Sequence, residues 1–173
     1  MSSAQSGHFS CFLVGDESLL IQCGEFLLGA DHEIRGMLTK SPALERWAAE
    51  HAIACLSGWA ALRDALRERP CDYLFSITNL SVVPGDLLGL PRAGAINFHD
   101  GPLPHYAGLN TPVWGLLQGE RRWGITWHLM TEAVDAGRVL REEAFDIAEG
   151  ETALTLNTRC YEAAIQSFPT LIA

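Results

Sequence analysis

Short apolar runs alternate with longer amphipathic segments through the N-terminal part of the chain. The runs are too short for helices and are rich in branched and aromatic side chains, which is typical of buried strands. They predict strands at residues 10–14, 33–38, 53–56, 73–77 and 95–99. The segments between them predict helices at residues 19–28, 43–50 and 59–67, and a helical turn after Pro84. This alternation predicts an α/β fold with a mainly parallel sheet flanked by helices.

The pattern changes in the C-terminal part of the chain. Residues 101–110 are rich in proline and glycine and predict a loop, which is followed by a short helix at residues 112–117. Apolar and polar residues alternate over residues 125–130, which predicts a strand, and a further strand is predicted at residues 139–145. A long closing helix is predicted at residues 152–172. The 173 residues contain no linker or repeat, so we expect one domain.

Composition excludes several classes of protein. The chain is 48% hydrophobic and 19% charged, which is ordinary for a globular enzyme. Its formal charge of -9 and its lack of lysine and arginine clusters disfavour nucleic acid as a partner. The polar start, from Met1 to Gly7, has neither the basic segment nor the apolar core of a signal peptide, and no apolar run reaches the ~18 residues of a membrane span. We therefore expect a cytoplasmic protein with no membrane partner.

The five cysteines lie far apart, without a CxxC pair or the spacing of metal ligands. Their neighbours are apolar, so we expect them to act as small buried hydrophobic residues in a reducing compartment. They are Cys11, Cys23, Cys55, Cys71 and Cys160.

Candidate chemistry is concentrated at the end of the predicted strand at residues 95–99. Asn97 and His99 are two residues apart there, and alternation along a strand places both on one face and Phe98 on the other. An amide beside an imidazole, with the carboxylate of Asp135 available from a later loop, can stabilise an oxyanion while a proton moves. These groups suit acyl transfer. The carboxyl end of a strand is also where open α/β sheets bind ligands.

The first predicted turn argues against a dinucleotide. The strand at residues 10–14 is followed by Gly15 and then by Asp16 and Glu17, in place of a G-x-G-x-x-G loop. Two carboxylates at this position would repel a pyrophosphate.

Three segments carry a resemblance to a known family. The stretch Ile96-Asn97-Phe98-His99, followed by Pro102-Leu103-Pro104-His105-Tyr106-Ala107-Gly108, resembles the N-x-H…L-L-P-x-Y-R-G signature of the 10-formyltetrahydrofolate-dependent formyltransferases. The later segments Gly124-Ile125-Thr126-Trp127-His128 and Val134-Asp135-Ala136-Gly137 look like the G-V-T-x-H and D-x-G segments of that family. The resemblance is specific over residues 71–150 and only architectural over residues 10–70. It implies a Rossmann-like formyltransferase fold.

The resemblance implies that Asn97, His99 and Asp135 are catalytic, with N10-formyltetrahydrofolate as the co-substrate and no metal. Asn97 would donate a hydrogen bond to the formyl oxygen, His99 would stabilise or protonate it, and Asp135 would orient His99 and relay the proton of the amine. The pterin ring would lie between residues 79–84 and residues 131–135. The implied cofactor-binding residues are Leu80, Ser81, Val82, Glu132, Val134 and Asp135. For Leu80 and Val82, core packing is the alternative interpretation.

Two positions depart from the family pattern and bear on the acceptor. Gly101 replaces a small hydroxyl residue, and Ala107 replaces the arginine of Y-R-G. We expect both to touch the substrate side of the pocket. The form N-F-H-D-x-P-L-P-x-Y-A-G resembles formyltransferase domains of nonribosomal peptide synthetases, which implies an aminoacyl thioester on a carrier protein as acceptor, with adjacent synthetase domains as partners. The apolar residues 168–173 agree with a catalytic domain that is the N-terminal part of a larger protein.

Four alternatives stay open at this point. The acceptor could be a small amine, such as an amino sugar or a purine precursor, or methionyl-tRNA, which the acidity disfavours. A metal-dependent hydrolase could use His99, Asp100, His105, His128 and Asp135 as ligands, although adjacent His99 and Asp100 would point to opposite faces of a strand. The chain could also be a non-catalytic module that binds folate or a partner.

Overall fold

Thirteen elements build the described part of the chain, residues 7–172 of the computed structural model. The strands are β1 (Ser10–Val14), β2 (Glu33–Leu38), β3 (Cys55–Leu56), β4 (Tyr73–Ser76), β5 (Gly94–His99), β6 (Arg122–Leu129) and β7 (Val139–Asp146). The helices are α1 (Ser18–Gly29), α2 (Pro42–Glu50), α3 (Trp59–Glu68), α4 (Gly85–Leu88), α5 (Thr111–Leu117) and α6 (Ala153–Leu171). The polar segment from Met1 to Ser6, part of the start in which no signal peptide is expected, lies outside the described residues.

All seven strands belong to one sheet in the order β3-β2-β1-β4-β5-β6-β7. The strands β1 to β5 pair in parallel, whereas β6 and β7 are antiparallel to their neighbours. The α/β fold expected from the sequence is therefore confirmed, with a parallel part that coincides with the alternating strands and helices. Because β6 is antiparallel to β5, the C-terminal end of β6 does not lie beside the C-terminal end of β5. The loop that follows β6 must therefore reach back to approach the end of β5.

Apolar side chains cover both faces of the sheet. One face packs against α1 and α6, with Phe75, Trp127 and Phe168 among its fully buried residues. The other face carries Phe12 and Leu74 and packs against α3 and α4. This second face is apolar at Ala95 and becomes polar further along β5, so the chemistry begins where the core ends.

The sequence-based bounds are off by a few residues, and the differences have local causes. Ile53 precedes β3 because its amide donates to the Ala48 carbonyl at the end of α2 and not to a neighbouring strand. The strand β6 begins at Arg122, earlier than predicted, because Trp123 is already paired with Phe145 of β7. The expectation that every cysteine is buried is wrong for Cys55, which is exposed on the edge strand β3, while the other four are buried.

Close backbone contact shapes the first turn. Gly15 has a φ of +155°, and a Cβ atom there would lie 1.8 Å from the Ile77 carbonyl oxygen. Only glycine lets the chain leave β1 this close to the end of β4. The turn places Asp16 and Glu17 at the carboxyl edge of the sheet, where both line a cavity.

Candidate active site

A cavity of about 610 Å³ opens at the carboxyl ends of β1, β4 and β5. This size lies within the range of about 300–1,000 Å³ that small-molecule sites occupy. Its lining includes Ser76, Asn97, His99, His128, Asp135 and Tyr161. The position agrees with the general location of ligands in open α/β sheets.

The strand β5 brings Asn97 and His99 to the same face. Asn97 pairs with His128 of β6 across the sheet, and His99 pairs with Thr126. Phe98, between them, faces the opposite side and packs on Trp127 with the ring centroids 5.3 Å apart. The period of two along a strand therefore separates the polar site from the apolar core.

The loop after β5 is tied to β6 and reaches over His99. The Thr126 hydroxyl donates to the Gly101 carbonyl at 2.8 Å and accepts from the Leu103 amide at 3.2 Å. Further along, the carbonyl of Tyr106 lies 2.5 Å from Nε2 of His99. A carbonyl oxygen only accepts, so Nε2 carries a proton and Nδ1 is the ring nitrogen left for other partners.

The loop between β6 and β7 supplies the carboxylate. Asp135 has a φ of 53°, a left-handed conformation that is uncommon outside glycine and that aspartate tolerates better than most residues. The amide of Gly108 donates to its Oδ2 at 2.8 Å and so holds the side chain in place. Gly137 passes so close to β6 that a Cβ atom would lie 1.7 Å from the Leu129 carbonyl oxygen. This packing gives a physical reason for the D-x-G spacing.

The three predicted catalytic residues form one contact group together with His128. Oδ2 of Asp135 lies 3.6 Å from Nδ1 of His99, and its Oδ1 lies 3.5 Å from Nε2 of His128. Nδ2 of Asn97 lies 3.2 Å from the same Nε2. Both imidazoles are buried, with side-chain exposures of 6% and 2%. These contacts are shielded from bulk water, so they are stronger than the same contacts on a surface.

His128 lies between an amide and a carboxylate. Its Nδ1 donates to the Leu129 carbonyl at 3.0 Å, so the neutral ring presents a lone pair on Nε2. In that state Asn97 donates to His128, which fixes the orientation of the amide. When His128 is protonated, Nε2 can donate to Asp135 instead. Sequence reasoning named His128 as a candidate metal ligand, and its position opposite Asn97 on β6 is the contact that sequence did not reveal.

Asp135 is held in its ionised form. Burial by itself would raise its pKa, but hydrogen bonding with His128 and with the Gly108 amide, and the charge that His99 can carry, more than offset this and lower the pKa of Asp135. The carboxylate can therefore accept a proton, or stabilise one on His99, at neutral pH.

The other half of the cavity contains most of the residues implied in pterin binding. Leu80, Ser81, Val82 and Val134 all line it, as does Asp135. Leu80 and Val82 are 79% and 70% exposed, so their alternative interpretation as core residues is wrong.

Asn79 shapes the segment that carries these side chains. Its Nδ2 donates to the Ser81 carbonyl at 2.7 Å, and the Ser81 amide donates to its Oδ1 at 3.0 Å. This reciprocal pair orders an exposed turn.

Two other residues that were expected to line the cavity lie outside it. Glu132, implied in cofactor binding, lies outside the lining of the cavity and packs near Gly85, where its Cγ would be 3.2 Å from an added Cβ. Gly101, expected on the substrate side, is buried beneath the Thr111 side chain and does not line the cavity. A Cβ at Gly101 would lie 2.7 Å from the Thr111 hydroxyl oxygen, which explains why a larger residue does not fit.

Two features of the described residues bear on a metal site and on a membrane. Among residues 7–172, no group of three or more His, Cys, Asp or Glu side chains is arranged to hold a metal ion. Within the same residues, none of the helices has the length and apolar character needed to cross a membrane.

Comparisons with known sequences identify the family of this chain. The profile of the family described as Formyl transferase matches residues 37–172. Methionyl-tRNA formyltransferase of Anaeromyxobacter dehalogenans is 34% identical over 129 residues, which cover 72% of this chain and 41% of that protein. GDP-perosamine N-formyltransferase of Brucella melitensis is 35% identical over 85 residues, which cover 49% of this chain and 33% of that protein. The chain thus spans less than half the length of these two relatives.

Comparisons of structure agree on the fold. Glycinamide ribonucleotide transformylase 1 from Symbiobacterium toebii superposes with a TM-score of 0.83 at 21% identity, and the match covers 95% of this chain and 86% of that one. A formyltetrahydrofolate deformylase from Pseudomonas syringae superposes with a TM-score of 0.86 at 16% identity, covering 96% of this chain and 60% of that one. At these identities the likeness concerns the fold alone.

Proposed function

The chain belongs to the formyl transferase family, and from that premise we propose that it transfers a formyl group from N10-formyltetrahydrofolate to a primary amine. The family uses formyl-tetrahydrofolate as its co-substrate. The observation that carries the proposal is the grouping of Asn97, His99 and Asp135, linked through His128, on the wall of a cavity of about 610 Å³. When bound, the co-substrate supplies the formyl carbon that the amine attacks.

Asn97 serves as the oxyanion donor. With neutral His128, one hydrogen of the Asn97 amide is held by Nε2 of His128, and the second remains for an oxygen in the cavity. Charge develops on the formyl oxygen as the amine attacks, so a donor fixed in advance stabilises the transition state more than the ground state. Removal of one such donor typically raises the barrier by about 2.7–4 kcal/mol.

His99 and Asp135 hold and transfer protons during the reaction. Nε2 of His99 is held by the Tyr106 carbonyl, so Nδ1 is the nitrogen that changes its protonation. Oδ2 of Asp135 lies 3.6 Å from that nitrogen and stabilises the imidazolium. The lowered pKa of Asp135 keeps it ionised, so it can also receive, directly or through one water, the proton that the attacking amine loses.

The cavity offers the reduced folate an apolar wall and a polar edge. Leu80, Val82 and Val134 are exposed to solvent and would be covered by a planar ring. The Asn79 turn presents Ser81 beside them. Glu132 is placed outside the cavity, so we assign pterin binding to the other five residues named from the sequence.

For the acceptor, we propose an aminoacyl thioester on a carrier protein of a nonribosomal peptide synthetase. The support is the resemblance of the Asn97-to-Gly108 segment to such domains. The names of the relatives point to other acceptors, methionyl-tRNA and GDP-perosamine, and these are the competing candidates.

A two-stage experiment tests the function. Calorimetric titration with 5-formyltetrahydrofolate should show saturable binding, and titration with NAD should show none. Formyl transfer from N10-formyltetrahydrofolate is then measured with valyl N-acetylcysteamine thioester, a carrier-bound valyl thioester, GDP-perosamine and methionyl-tRNA. We expect transfer to the thioesters. Binding of folate without transfer to any amine would contradict the proposed activity, and release of formate alone would indicate hydrolysis.

A further inference from the structure

Six large apolar side chains are exposed on the walls of the cavity, and only three of them belong to the loops assigned to the pterin ring. The other three lie in the loop after β5, in α5 and at the start of α6. They are Leu109, Val113 and Leu154, which we call the α5–α6 wall. Single exposed apolar residues are ordinary, but several on one cavity wall mark a surface that a ligand covers.

The α5–α6 wall belongs to one face of the sheet. Phe98 of β5 and Tyr161 of α6 both line the cavity, and their ring centroids are 6.3 Å apart. Gly115 of α5 lies so close to the Trp123 ring that a Cβ atom would be 2.2 Å from it. Trp123 and Phe98 share one apolar cluster, and α5 packs against α6. Both helices therefore cover the face toward which Phe98 points.

The residues that follow the Asn79 turn belong to the opposite face. Val83 packs in one cluster with Leu87 of α4, and Met130 packs against the same cluster. Val83 and Met130 also line the cavity. The cavity therefore passes over the carboxyl edge of the sheet and has walls on both sides. A transfer reaction needs adjoining places for two substrates, and the α5–α6 wall offers one that the pterin residues do not form.

This wall begins directly beside the catalytic group. The amide of Gly108 donates to Oδ2 of Asp135 at 2.8 Å, and Leu109 is the next residue. Asn110 then adopts a left-handed conformation with a φ of 58°, which turns the chain into α5. An attacking amine must come close to Asp135 to lose its proton. A group on the carbon that bears this amine therefore comes within reach of Leu109.

The start of α6 presents Leu154 in a fixed position. Ala153, Leu154, Asn157 and Tyr161 all line the cavity, and spacings of four residues place such side chains on one face of a helix. The Thr152 hydroxyl accepts from the Thr155 amide at 3.2 Å in a capping box, which holds the first turn. Leu154 is thus an exposed apolar contact that is ordered before any ligand binds.

Building on the proposed function, we propose that the α5–α6 wall binds an apolar side chain of the acceptor, attached to the carbon that bears the reacting amine. Leu109, Val113 and Leu154 are the residues that determine this specificity. An aliphatic group placed there leaves water and covers three exposed apolar side chains. A polar group of the same size would exchange its hydrogen bonds with water for apolar contacts.

The tail of the folate is the other group that formyl transfer brings to the cavity. It ends in glutamyl carboxylates. Burial raises the pKa of Tyr161, and the carboxylates of Glu17 and Asp100, which line the cavity, raise it further, so both charges lie near this face of α6. Among the described residues, no lysine or arginine lines the cavity to offset them. An uncharged aliphatic side chain meets no such repulsion.

Acceptors of matched size test the proposal. Leucinamide and asparaginamide differ in that two methyl groups of one are replaced by a carboxamide in the other. At saturating N10-formyltetrahydrofolate, we expect kcat/KM to favour leucinamide by about tenfold or more. Leu154→Asn and Leu109→Asn should each reduce this ratio by about fivefold, because each removes part of the apolar wall. Differences in amine basicity cancel, because the same two acceptors are compared in every protein.

The matched control is Leu117→Asn. Leu117 is 72% exposed on α5 and lies outside the cavity, whereas Leu154 is 76% exposed on α6 and lines it. The control should keep the parent ratio, and KM for folate should stay the same in all three variants. A parent ratio near one, or a ratio unchanged in the Leu109→Asn/Leu154→Asn double variant, would overturn the inference. A raised KM for folate with an unchanged ratio would show that the folate tail covers the wall.

A binding measurement separates this inference from the proposed function. Leucinamide and asparaginamide are titrated into protein saturated with 5-formyltetrahydrofolate, which requires no turnover. Tighter binding of leucinamide that weakens in Leu154→Asn supports the inference even if no amine is formylated. Equal affinities, or binding of neither amide, contradict it. Failure of every acceptor in the transfer assay, with this difference in binding retained, counts only against the proposed function.

Discussion

Oδ2 of Asp135 lies 3.6 Å from Nδ1 of His99 and accepts a hydrogen bond from the Gly108 amide at 2.8 Å. The carboxylate thus joins the loop after β6 to the loop after β5 while it faces the imidazole. One residue both closes the structure of the site and sets the charge beside His99. Its two roles can be separated by substitution.

The Asp135→Asn variant should keep the fold and lose most of its turnover. The amide oxygen can still accept from Gly108, but it bears no charge to stabilise protonated His99 and cannot take a proton. We expect kcat to fall about 100-fold or more, and folate affinity to fall far less, because the amide keeps the shape of the side chain and an oxygen that accepts hydrogen bonds. Steady-state kinetics and folate titration measure both quantities. The control is Asp146→Asn, at an exposed position of β7, and normal turnover in Asp135→Asn would remove this residue from the mechanism.

Asn97→Ala and His99→Ala should each reduce kcat by about 100-fold to 1,000-fold, because each acts on charge that exists only in the transition state. Their effects should not multiply. Since both groups serve one oxyanion and one proton transfer, the double variant should lose far less than the product of the single losses. A double-mutant cycle on kcat/KM tests this, and cleanly multiplying losses would show that the two residues act independently.

His128 should act through its neighbours. The His128→Ala variant removes the group that, when neutral, orients the Asn97 amide and that, when protonated, donates to Asp135 and helps to lower its pKa. The pKa of Asp135 should rise, so the acid limb of the pH dependence of kcat/KM should move to higher pH. We expect about a tenfold loss at neutral pH. The His128→Gln variant retains a polar partner for Asn97 and should recover part of kcat, whereas an unshifted acid limb in His128→Ala would exclude an effect on Asp135.

Leu80→Ser and Val82→Ser should weaken folate binding without affecting stability. The two side chains are 79% and 70% exposed, so they contribute little to the core. If a ring covers one side of them in the complex, each truncation should raise KM for folate by about fivefold, a smaller effect than the roughly 1.5–3 kcal/mol of complete burial because the contact is partial. The control is Leu117→Ser, at a residue that is 72% exposed on α5 and outside the cavity. Unchanged KM in both variants would place the ring elsewhere.

Acid sensitivity should depend on Asp72, which joins the starts of β4 and β1. Its Oδ2 accepts hydrogen bonds from the amide of Ser10 at 2.8 Å and from the hydroxyl of Ser10 at 2.9 Å. The hydrogen bond from the amide is the leading cause of the lowered pKa of Asp72. A carboxyl group with a folded pKa below its unfolded value adds stability at neutral pH, and this is lost as the pH falls through the folded pKa. The free energy of unfolding of Asp72→Asn should fall by about 1–3 kcal/mol at pH 7.

The difference between Asp72→Asn and the parent protein should shrink as the pH falls toward the depressed pKa of Asp72. Urea unfolding at several pH values measures it. Asp64→Asn, exposed on α3, is the control and should match the parent protein throughout. A pH-independent difference would mean that packing and not charge is responsible.

Sequence alone determined the elements and the placement of two site residues. Alternation in β5 is a local property of a strand, so the common face of Asn97 and His99 followed from their spacing. Pro42 at the start of α2 and the short apolar runs of β1, β2 and β4 are likewise local signals. The resemblance to a family predicted Asp135 as a site residue, because no local pattern connects this residue to β5.

Tertiary structure decided the rest, because it depends on which segments meet. The antiparallel direction of β6 sets His128 opposite Asn97, and alternation within β6 could not show its partner. Gly101 is buried by Thr111 and Glu132 packs beside Gly85, although the motif placed both at the site. The cavity likewise required the turn after β1, the end of β5 and the helix α6 to come together. Charges far apart in sequence determine a ligand's environment only once the fold has brought them within reach of one another.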